Sequence, residues 1–301
     1  MERLAEAVGG DDARVAGHVL AGYLALTKPR LVLMVVITAA AGFYLGAPGA
    51  IALPLFLHAM VGTALAAGGA LALNQYLERD LDACMNRTRR RPLPAGRVQP
   101  LPALLFGGAL TVVGLGQLLL AVNPLACAVT AVTSFVYLFI YTPLKRITPL
   151  CTIVGAVPGA LPPVTGWVAA RGELGDGALV LFAILFLWQI PHSLAIARLY
   201  VDEYAGAGFR LLPVVERHSR RTERAVVSYS AALVAVGVTP ALLGMAGSLY
   251  LAAALVLGAG LFLTAVAFAV QRAGSARWLL LASLVYLPAL LSMMAIDRVV
   301  P

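Results

Sequence analysis

The sequence predicts an all-α integral membrane protein in which nine helices form one bundle. Of its 301 residues, 61% are hydrophobic and only 12% are charged, which is more apolar side chain than a water-soluble domain of this length can bury. Nine stretches of about membrane-crossing length also lack formal charge. These stretches cover roughly residues 31–47, 51–73, 101–122, 124–141, 149–170, 178–197, 225–245, 248–270 and 278–296.

The same pattern predicts the domain organisation. Residues 1–30 are expected to be a tail on the inner side of the membrane, and residues 31–297 a single nine-helix domain. The fifth stretch contains Pro158, Pro162 and Pro163, so that helix is expected to be bent or interrupted. The predicted inner loops cover residues 74–100, 142–148, 198–224 and 271–277.

The positions of the basic residues predict the orientation. Of the 22 lysines and arginines, all but Arg171 and Arg298 fall in the tail or in those four loops. Because basic residues collect on the cytoplasmic side, the N-terminus is expected inside and the C-terminus outside, in the inner (cytoplasmic) membrane. The net charge of +8 is therefore an orientation signal, and no nucleic-acid partner is expected. The long charged loops place any active site on the cytoplasmic face.

A first acidic cluster follows the second predicted helix. If that helix continues past the membrane, Asn74, Glu78 and Asp82 advance by about 40° at each four-residue step and form one polar stripe. Asp80 points to another side of the helix. A stripe of oxygen ligands is typical of Mg²⁺ sites, which combine carboxylates with phosphate oxygens.

A second acidic cluster, with Asp202, Glu203 and Tyr204, follows the sixth predicted helix. Four helices separate the two clusters, so both are expected on the same side of the membrane. Two facing acidic clusters repel each other unless a cation lies between them. Basic residues accompany both clusters: Arg87, Arg89, Arg90, Arg91, Arg97, Lys145, Arg146 and Arg198.

Acidic metal ligands beside several cations indicate a diphosphate at the membrane surface. The surrounding apolar helices would hold a lipid tail, so an isoprenyl diphosphate is the simplest substrate. Ionisation of its allylic carbon–oxygen bond would leave a diphosphate, which Mg²⁺ and basic groups stabilise as its charge develops.

Several strings in the middle of the chain resemble the UbiA-type prenyltransferases. That family has nine helices and two aspartate-rich motifs, the first being N-x-x-x-D-x-x-x-D. Asn74 and Asp82 match this motif, and Glu78 replaces its first aspartate. The strings "MNRTRRRPLPAGRV", "YTPLKRITP", "WQIPHSLA" and "DEYAGAGFRLLPVV" are most similar to the branch of the family that farnesylates heme, with departures at Ser193 and Arg210.

The resemblance implies that farnesyl diphosphate donates its farnesyl group to a vinyl group of heme B, and that water completes the product, heme O. It implies that Mg²⁺ and diphosphate are organised by Asn74, Glu78, Asp82, Asp202 and Glu203, the last four as metal ligands. Phosphate or heme propionates would be held by Arg87, Arg91, Lys145 and Arg146, and Arg198 and Tyr204 are further expected to bind the diphosphate or the substrate. Transfer of the product to a heme A-forming enzyme or to terminal-oxidase assembly is a further expected partnership.

The sequence leaves the heme site open. His192 is interpreted either as an axial ligand to heme iron or as a packed histidine hydrogen-bonded to a carbonyl that Pro191 frees. Trp188 either lines the porphyrin or packs between helices. His58 lies near the other end of its helix, so a heme bound by both histidines is not expected.

Two other functions remain as alternatives. A family member that prenylates an aromatic quinone precursor would share both acidic motifs, because the acceptor pocket alone distinguishes it. A transporter of isoprenoid or heme belongs to a different class, and transporters commonly carry ionisable side chains near the membrane centre. The predicted helices have none near their centres, which favours an enzyme.

Overall fold

The computed structural model describes residues 19–217, 219–270 and 274–299, and these residues are mainly helical. Among them, nine helices are long and apolar enough to cross a membrane, which confirms the predicted fold class. They are α1 Pro29–Gly46, α2 Leu53–Leu77, α3 Pro100–Ala121, α4 Pro124–Leu144, α5 Cys151–Arg171, α6 Asp176–Leu199, α7 Arg221–Leu242, α8 Ser248–Ala269 and α9 Ser275–Ile296. Residues 1–18 of the expected tail and 271–273 of the last expected loop lie outside the described residues.

The outer surface of the bundle is apolar. Leu120 is 88% exposed, Val256 is 72% exposed and Val112 is 70% exposed, and many other large aliphatic side chains also face outward. A water-soluble protein does not expose apolar surface on this scale, whereas lipid solvates it. The chain is therefore a multi-pass membrane protein.

Proline and asparagine fix where several helices begin. Pro29, Pro100 and Pro124 lie in the first turns of α1, α3 and α4, where a missing N–H leaves no hydrogen bond unmade. Asn123 precedes α4, and its side-chain oxygen accepts a hydrogen bond from the backbone N–H of Ala126 at 2.8 Å. This N-cap satisfies one of the free donors at the helix start.

Helix α5 is interrupted, as the sequence predicts. It consists of two helices, Cys151–Ala160 and Pro162–Arg171, with Leu161 between them. Consecutive prolines at the junction cannot donate backbone hydrogen bonds, so the helical ladder breaks there. The second half is almost wholly buried, and it packs against α1, α2, α4 and α6 in the middle of the bundle.

Two glycines allow α1 and α5 to touch. A β-carbon on Gly42 would collide with the carbonyl of Pro163, and one on Gly166 would collide with the carbonyl of Ala39. Small residues at such crossings bring helix backbones together, which is the main source of packing energy between helices in lipid. The contact holds the broken helix against the first one.

The two ends of the bundle differ. Helices α2 and α6 both finish at one end, called here the charged end, where the described residues of the connections are 78–99, 145–150, 200–217 and 219–220. At the far end, the Arg171 side chain donates to the carbonyl of Gly46 at 2.8 Å, and that of Arg298 donates to the carbonyl of Ala47. These two arginines cap the last carbonyls of α1.

Part of the expected tail packs against the bundle. Residues 19–26 are helical, and Leu26 is fully buried beside Ala72 and Leu93. The Gln75 side chain in α2 donates to the carbonyls of Ala25 and Leu26 at 3.2 and 2.7 Å. The chain entering α1 is therefore fixed to α2 near the charged end.

Candidate active site

The polar stripe at the end of α2 forms as the sequence predicts, although the helix does not continue smoothly. Helix α2 ends at Leu77, and Glu78 joins it to a short helix, Arg79–Ala83, with φ −99° and ψ 6°. The backbone N–H of Asp82 still donates to the Glu78 carbonyl at 2.8 Å. Helical spacing is thereby kept across the junction.

The three residues of the stripe are buried, whereas their acidic neighbour is not. Asn74, Glu78 and Asp82 are 1%, 6% and 1% exposed. The Asp80 side chain is 86% exposed and lies 3.7 Å from Arg79. Two carboxylates buried one helical turn apart are costly without compensating positive charge.

Each buried carboxylate has its own cation. Lys145 Nζ lies 2.7 Å from Glu78 Oε1, and Arg91 Nη1 lies 2.6 Å from Asp82 Oδ2. The Thr88 hydroxyl donates to the Asp82 carbonyl at 2.8 Å, which fixes the turn that carries Arg91. Two ion pairs therefore join candidate residues from three separate segments of the chain.

Aromatic rings surround Lys145. Its ammonium lies 4.5 Å from the Tyr141 ring centre and 6.0 Å from that of Phe209. Burial by itself lowers the pKa of Lys145, but Tyr141 and the Glu78 carboxylate raise it, and the net change is upward. Lys145 is therefore positively charged at neutral pH.

Lys28, which the sequence analysis did not select, completes this cluster. Its Nζ donates to Asn74 Oδ1 at 3.2 Å, and the Asn74 amide donates to the Thr142 hydroxyl at 3.1 Å. Burial lowers the pKa of Lys28 to about 7, and the nearby positive charges of Arg91 and Lys145 add to the effect. The only sequence signal was its position before Pro29, which marks a helix start at the charged end.

An unusual backbone conformation directs Lys28 into the cluster. Its φ is 50° and its ψ 66°, in the left-handed region that residues with a β-carbon rarely adopt. Strain of this kind persists only where surrounding contacts hold it, and it is common at functional sites. We call Lys28, Asn74, Glu78, Asp82, Arg91, Thr142 and Lys145 the head-group cluster.

The loop after α6 closes over the head-group cluster. The Arg87 guanidinium donates to the Tyr204 hydroxyl at 3.0 Å, and the backbone N–H of Arg210 donates to the Lys145 carbonyl at 2.7 Å. Met85 and Phe209 are buried together beside Tyr204. The segments that follow α2, α4 and α6 therefore converge at the charged end.

The carboxylates of the second acidic cluster differ in their surroundings. The Asp202 side chain is 84% exposed and lies 3.0 Å from Arg217. Glu203 has a buried oxygen, Oε2, that makes no hydrogen bond to the described residues. Among the residues that the structure describes, no group of three or more acidic, cysteine or histidine side chains is close enough to hold a metal by itself.

Two of the expected phosphate-binding arginines lie outside the head-group cluster. Arg146 is exposed on the loop between α4 and α5. Arg198 lies 3.6 Å from Glu223, a buried carboxylate at the start of α7 whose second oxygen has no partner among the described residues. Glu223 gives no clear sequence signal, because its position in a polar stretch resembles an exposed helix start.

The two residues expected to contact heme lie deeper in the bundle. The indole N–H of Trp188 donates to the Ser283 carbonyl at 2.7 Å, and His192 Nδ1 lies 2.8 Å from the Ser283 hydroxyl. The partner of His192 is thus a hydroxyl of α9, rather than a carbonyl freed by Pro191. Ser283 could not be found from sequence, because 91 residues separate it from His192.

The fold and this site define a class of protein: a membrane-embedded helical bundle with one charged end, in which buried carboxylates and cations meet beneath a covering loop. The chain belongs to the UbiA prenyltransferase family, whose family model matches residues 35–292. This finding confirms the resemblance seen in the sequence.

Curated relatives match almost the whole chain. A protoheme IX farnesyltransferase of Solibacter usitatus is 46% identical over 286 residues, which cover 92% of this chain and 98% of the relative. A protein of the same name from Myxococcus xanthus is 43% identical, over 92% of this chain and 94% of the relative.

Solved structures share the fold. A digeranylgeranylglyceryl phosphate synthase structure superposes with a TM-score of 0.80 at 15% identity, over 93% of this chain and 98% of that one. A UbiA homologue from Archaeoglobus fulgidus, bound to DMAPP and Mg²⁺, gives 0.65 at 16% identity, over 91% of this chain and 99% of that one. At such low identity these likenesses show the fold alone.

Proposed function

We propose that this prenyltransferase transfers the farnesyl group of farnesyl diphosphate to a vinyl group of heme B, with addition of water, to give heme O. The observation that carries the proposal is the head-group cluster, in which Lys28, Arg91 and Lys145 face buried Asn74, Glu78 and Asp82 at one end of an apolar bundle. The relatives named protoheme IX farnesyltransferase support heme as the acceptor.

The residues present fit a Mg²⁺ ion that binds together with the diphosphate. Mg²⁺ in proteins usually takes one or two carboxylates, with phosphate oxygens and waters completing its shell. Glu78 and Asp82 offer two carboxylates one turn apart, and the unpaired Glu203 oxygen and the exposed Asp202 would contribute from the covering loop. When bound, the ion neutralises diphosphate charge and stabilises the leaving group.

The chain's own cations bind the rest of the head group. Arg91, Lys145 and Lys28, which contact Asp82, Glu78 and Asn74, would donate to phosphate oxygens of the bound diphosphate. Arg87, held by Tyr204 on the covering loop, closes the site from solvent. This covering keeps bulk water from the allylic carbon until it reacts and strengthens each charge–charge contact. The one water that completes heme O adds to the acceptor after the transfer.

Two aromatic side chains lie at the end of α4 that leads to Lys145. Residues Val136–Tyr141 of α4 form a π-helix, a local widening that is frequent at functional sites. It places the Tyr137 and Tyr141 rings 5.8 Å apart, with Tyr141 beside Lys145. Ring faces stabilise a nearby cation, so we assign to these two tyrosines the stabilisation of the farnesyl cation as the carbon–oxygen bond breaks.

The distribution of arginine and lysine supports a cytoplasmic location of the charged end. Twenty of the 22 basic residues lie in the tail or in the predicted inner loops. The chain is then an inner-membrane protein with its N-terminus inside and its C-terminus outside. Heme O leaves through the lipid to a heme A-forming enzyme or to terminal-oxidase assembly.

Purified protein supplied with farnesyl diphosphate, Mg²⁺ and heme B tests the proposal. Mass spectrometry should detect heme O, and none should form when heme is omitted. A parallel reaction replaces heme with an aromatic quinone precursor, such as a hydroxybenzoate. Prenylation of that acid, with no heme product, would overturn the choice of acceptor while leaving the head-group assignment intact.

A further inference from the structure

Helices α6 and α9 hold one imidazole ring in a fixed position. His192 Nδ1 lies 2.8 Å from the Ser283 hydroxyl, and the Trp188 indole stacks on the imidazole at 4.8 Å between ring centres and 21° between planes. The same indole donates its N–H to the Ser283 carbonyl at 2.7 Å. Trp188, His192 and Ser283 together are called the imidazole clamp.

The hydrogen bonds of Ser283 determine which imidazole nitrogen carries the proton. The Ser283 hydroxyl lies 2.7 Å from the carbonyl of Leu280, and a carbonyl can only accept. The Ser283 hydroxyl has only one proton. If it donated that proton to His192, the Ser283 hydroxyl oxygen and the Leu280 carbonyl oxygen would lie 2.7 Å apart with no proton between them. Both contacts are satisfied only when Ser283 donates to Leu280 and His192 donates from Nδ1.

The other ring nitrogen is then left with a lone pair. Nε2 of His192 makes no hydrogen bond to any residue that the structure describes. A neutral imidazole whose Nδ1–H is held by an acceptor, with Nε2 free, is the arrangement that metal-ligating histidines adopt. A histidine used only for packing gains nothing from a free acceptor in an apolar bundle.

We propose that His192 binds the iron of the heme acceptor through Nε2, and that Ser283 acts as a positioning residue that holds the Nδ1–H tautomer. This inference rests on the proposed function, because it requires a metalloporphyrin in the bundle. His192 lies seven residues before the end of α6 at Leu199, or about 10 Å along the helix axis. The iron is therefore held below the charged end, on the side where the donor's tail must lie.

Ligation solves an orientation problem for this reaction. A porphyrin ring is flat and largely apolar, so packing against aliphatic helices leaves it free to turn. One directed bond from Nε2 to iron fixes the plane of the ring and its depth, and Trp188 fixes the plane of the imidazole. Ligation therefore holds the vinyl groups at the depth of the allylic carbon, as a near-attack geometry requires. The ring can still turn about the iron–nitrogen bond, so the choice between its vinyl groups is left to the side chains packed around its edge.

Spectroscopy of the full-length protein in detergent, titrated with heme B in the absence of farnesyl diphosphate, tests the inference. The wild type should show the absorption bands and the iron–imidazole stretch of a histidine-ligated heme. His192→Gly should lose both, and added imidazole should restore them by filling the vacated position. His58→Ala is the matched control, since His58 lies in α2 and is hydrogen-bonded to Gln117, and its heme spectrum should equal that of the wild type.

Ser283→Ala separates positioning from ligation. It removes the acceptor for Nδ1–H, so the iron–imidazole stretch should move to lower frequency while the histidine bands remain. An unchanged frequency would show that Ser283 does not set the tautomer.

Iron ligation is overturned if His192→Gly gives a wild-type heme spectrum. It is also overturned if that variant elutes as a folded protein and does not respond to imidazole. Both conclusions hold whether or not heme O is made. Loss of the bands in His192→Gly and their rescue by imidazole establish ligation even if the protein prenylates another acceptor. Failure of the proposed function is seen separately, in the products of the turnover assay.

Discussion

The ammonium of Lys145 lies 2.7 Å from the carboxylate of Glu78, although 67 residues separate the two in the chain. Their side chains are 14% and 7% exposed, so neither charge can be solvated by water if the other is removed. The pair joins the end of α2 to the loop between α4 and α5, and it fixes the base of the head-group cluster.

Removing one member of this pair should destabilise the protein more than removing both. Lys145→Met leaves a buried carboxylate unpaired, and such changes cost about 3–5 kcal/mol. In the double variant Lys145→Met/Glu78→Met most of that loss should be recovered, while turnover stays absent. Unfolding in detergent and product formation are measured on the same samples, and equal stability of the single and double variants would contradict a buried ion pair.

Asp82→Asn should abolish turnover, and Asp80→Asn should not change it. Both substitutions replace a carboxylate with an amide in the same short helix, but Asp82 is 1% exposed while the Asp80 side chain is 86% exposed. Loss of one charge that organises the leaving group should lower kcat by at least about 100-fold. Comparable rates of heme O formation in the two variants would show that the Asp82 carboxylate has no part in the reaction.

Removal of divalent cations should stop the reaction without unfolding the protein. Glu78 and Asp82 keep Lys145 and Arg91 as partners when no metal is present, so the fold does not require the ion. Excess chelator should therefore abolish heme O formation and leave the unfolding temperature nearly unchanged, and added Mg²⁺ should restore the activity. Turnover that persists in chelator would be inconsistent with the proposed site.

Lys28 should make stability depend on pH in the alkaline range. Burial lowers its pKa to about 7 from an ordinary value of 10.5, so between these values the unfolded chain binds the proton and the folded protein does not. Stability must then rise with pH across that window. In metal-free protein, the unfolding temperature of the wild type relative to Lys28→Met should increase between about pH 7 and pH 10. A constant difference would mean that Lys28 titrates normally.

The contact between α1 and α5 should tolerate no side chain. Gly42→Leu places several atoms where the Pro163 carbonyl lies, so the helices must separate and the yield of folded protein should fall sharply. Gly108→Leu is the matched control, because a β-carbon there has open space around it and leucine favours the helix over glycine. It should leave the unfolding temperature unchanged or slightly raised, and a loss as large as that of Gly42→Leu would argue against this packing.

The sequence predicted those features that depend on composition and local periodicity. The nine helices follow from apolar runs, the break in α5 from consecutive prolines, and the buried stripe Asn74, Glu78 and Asp82 from four-residue spacing. Each is determined by neighbours within one or two helical turns, so no knowledge of the fold was needed.

The remaining features depend on partners far along the chain. Lys28 appeared to be one basic residue of an orienting tail, and only the fold brings it to Asn74, 46 residues away. Arg198 was expected at the phosphate, but the packing of α6 on α7 sets it against Glu223. Ser283 carries no sequence signal because serine is common in membrane helices, and its role depends on the register of α9 against α6.

The arginine contacts at the far end have a consequence for biogenesis. Arg298 holds the carbonyl of Ala47 across 251 residues, and its guanidinium lies 4.9 Å from the ring centre of Tyr44. This bond cannot form until all the intervening helices have entered the bilayer. During synthesis, Arg171 can therefore cap the end of α1 once α5 is in place, whereas the Ala47 carbonyl gains its arginine partner only after the last helix has been inserted.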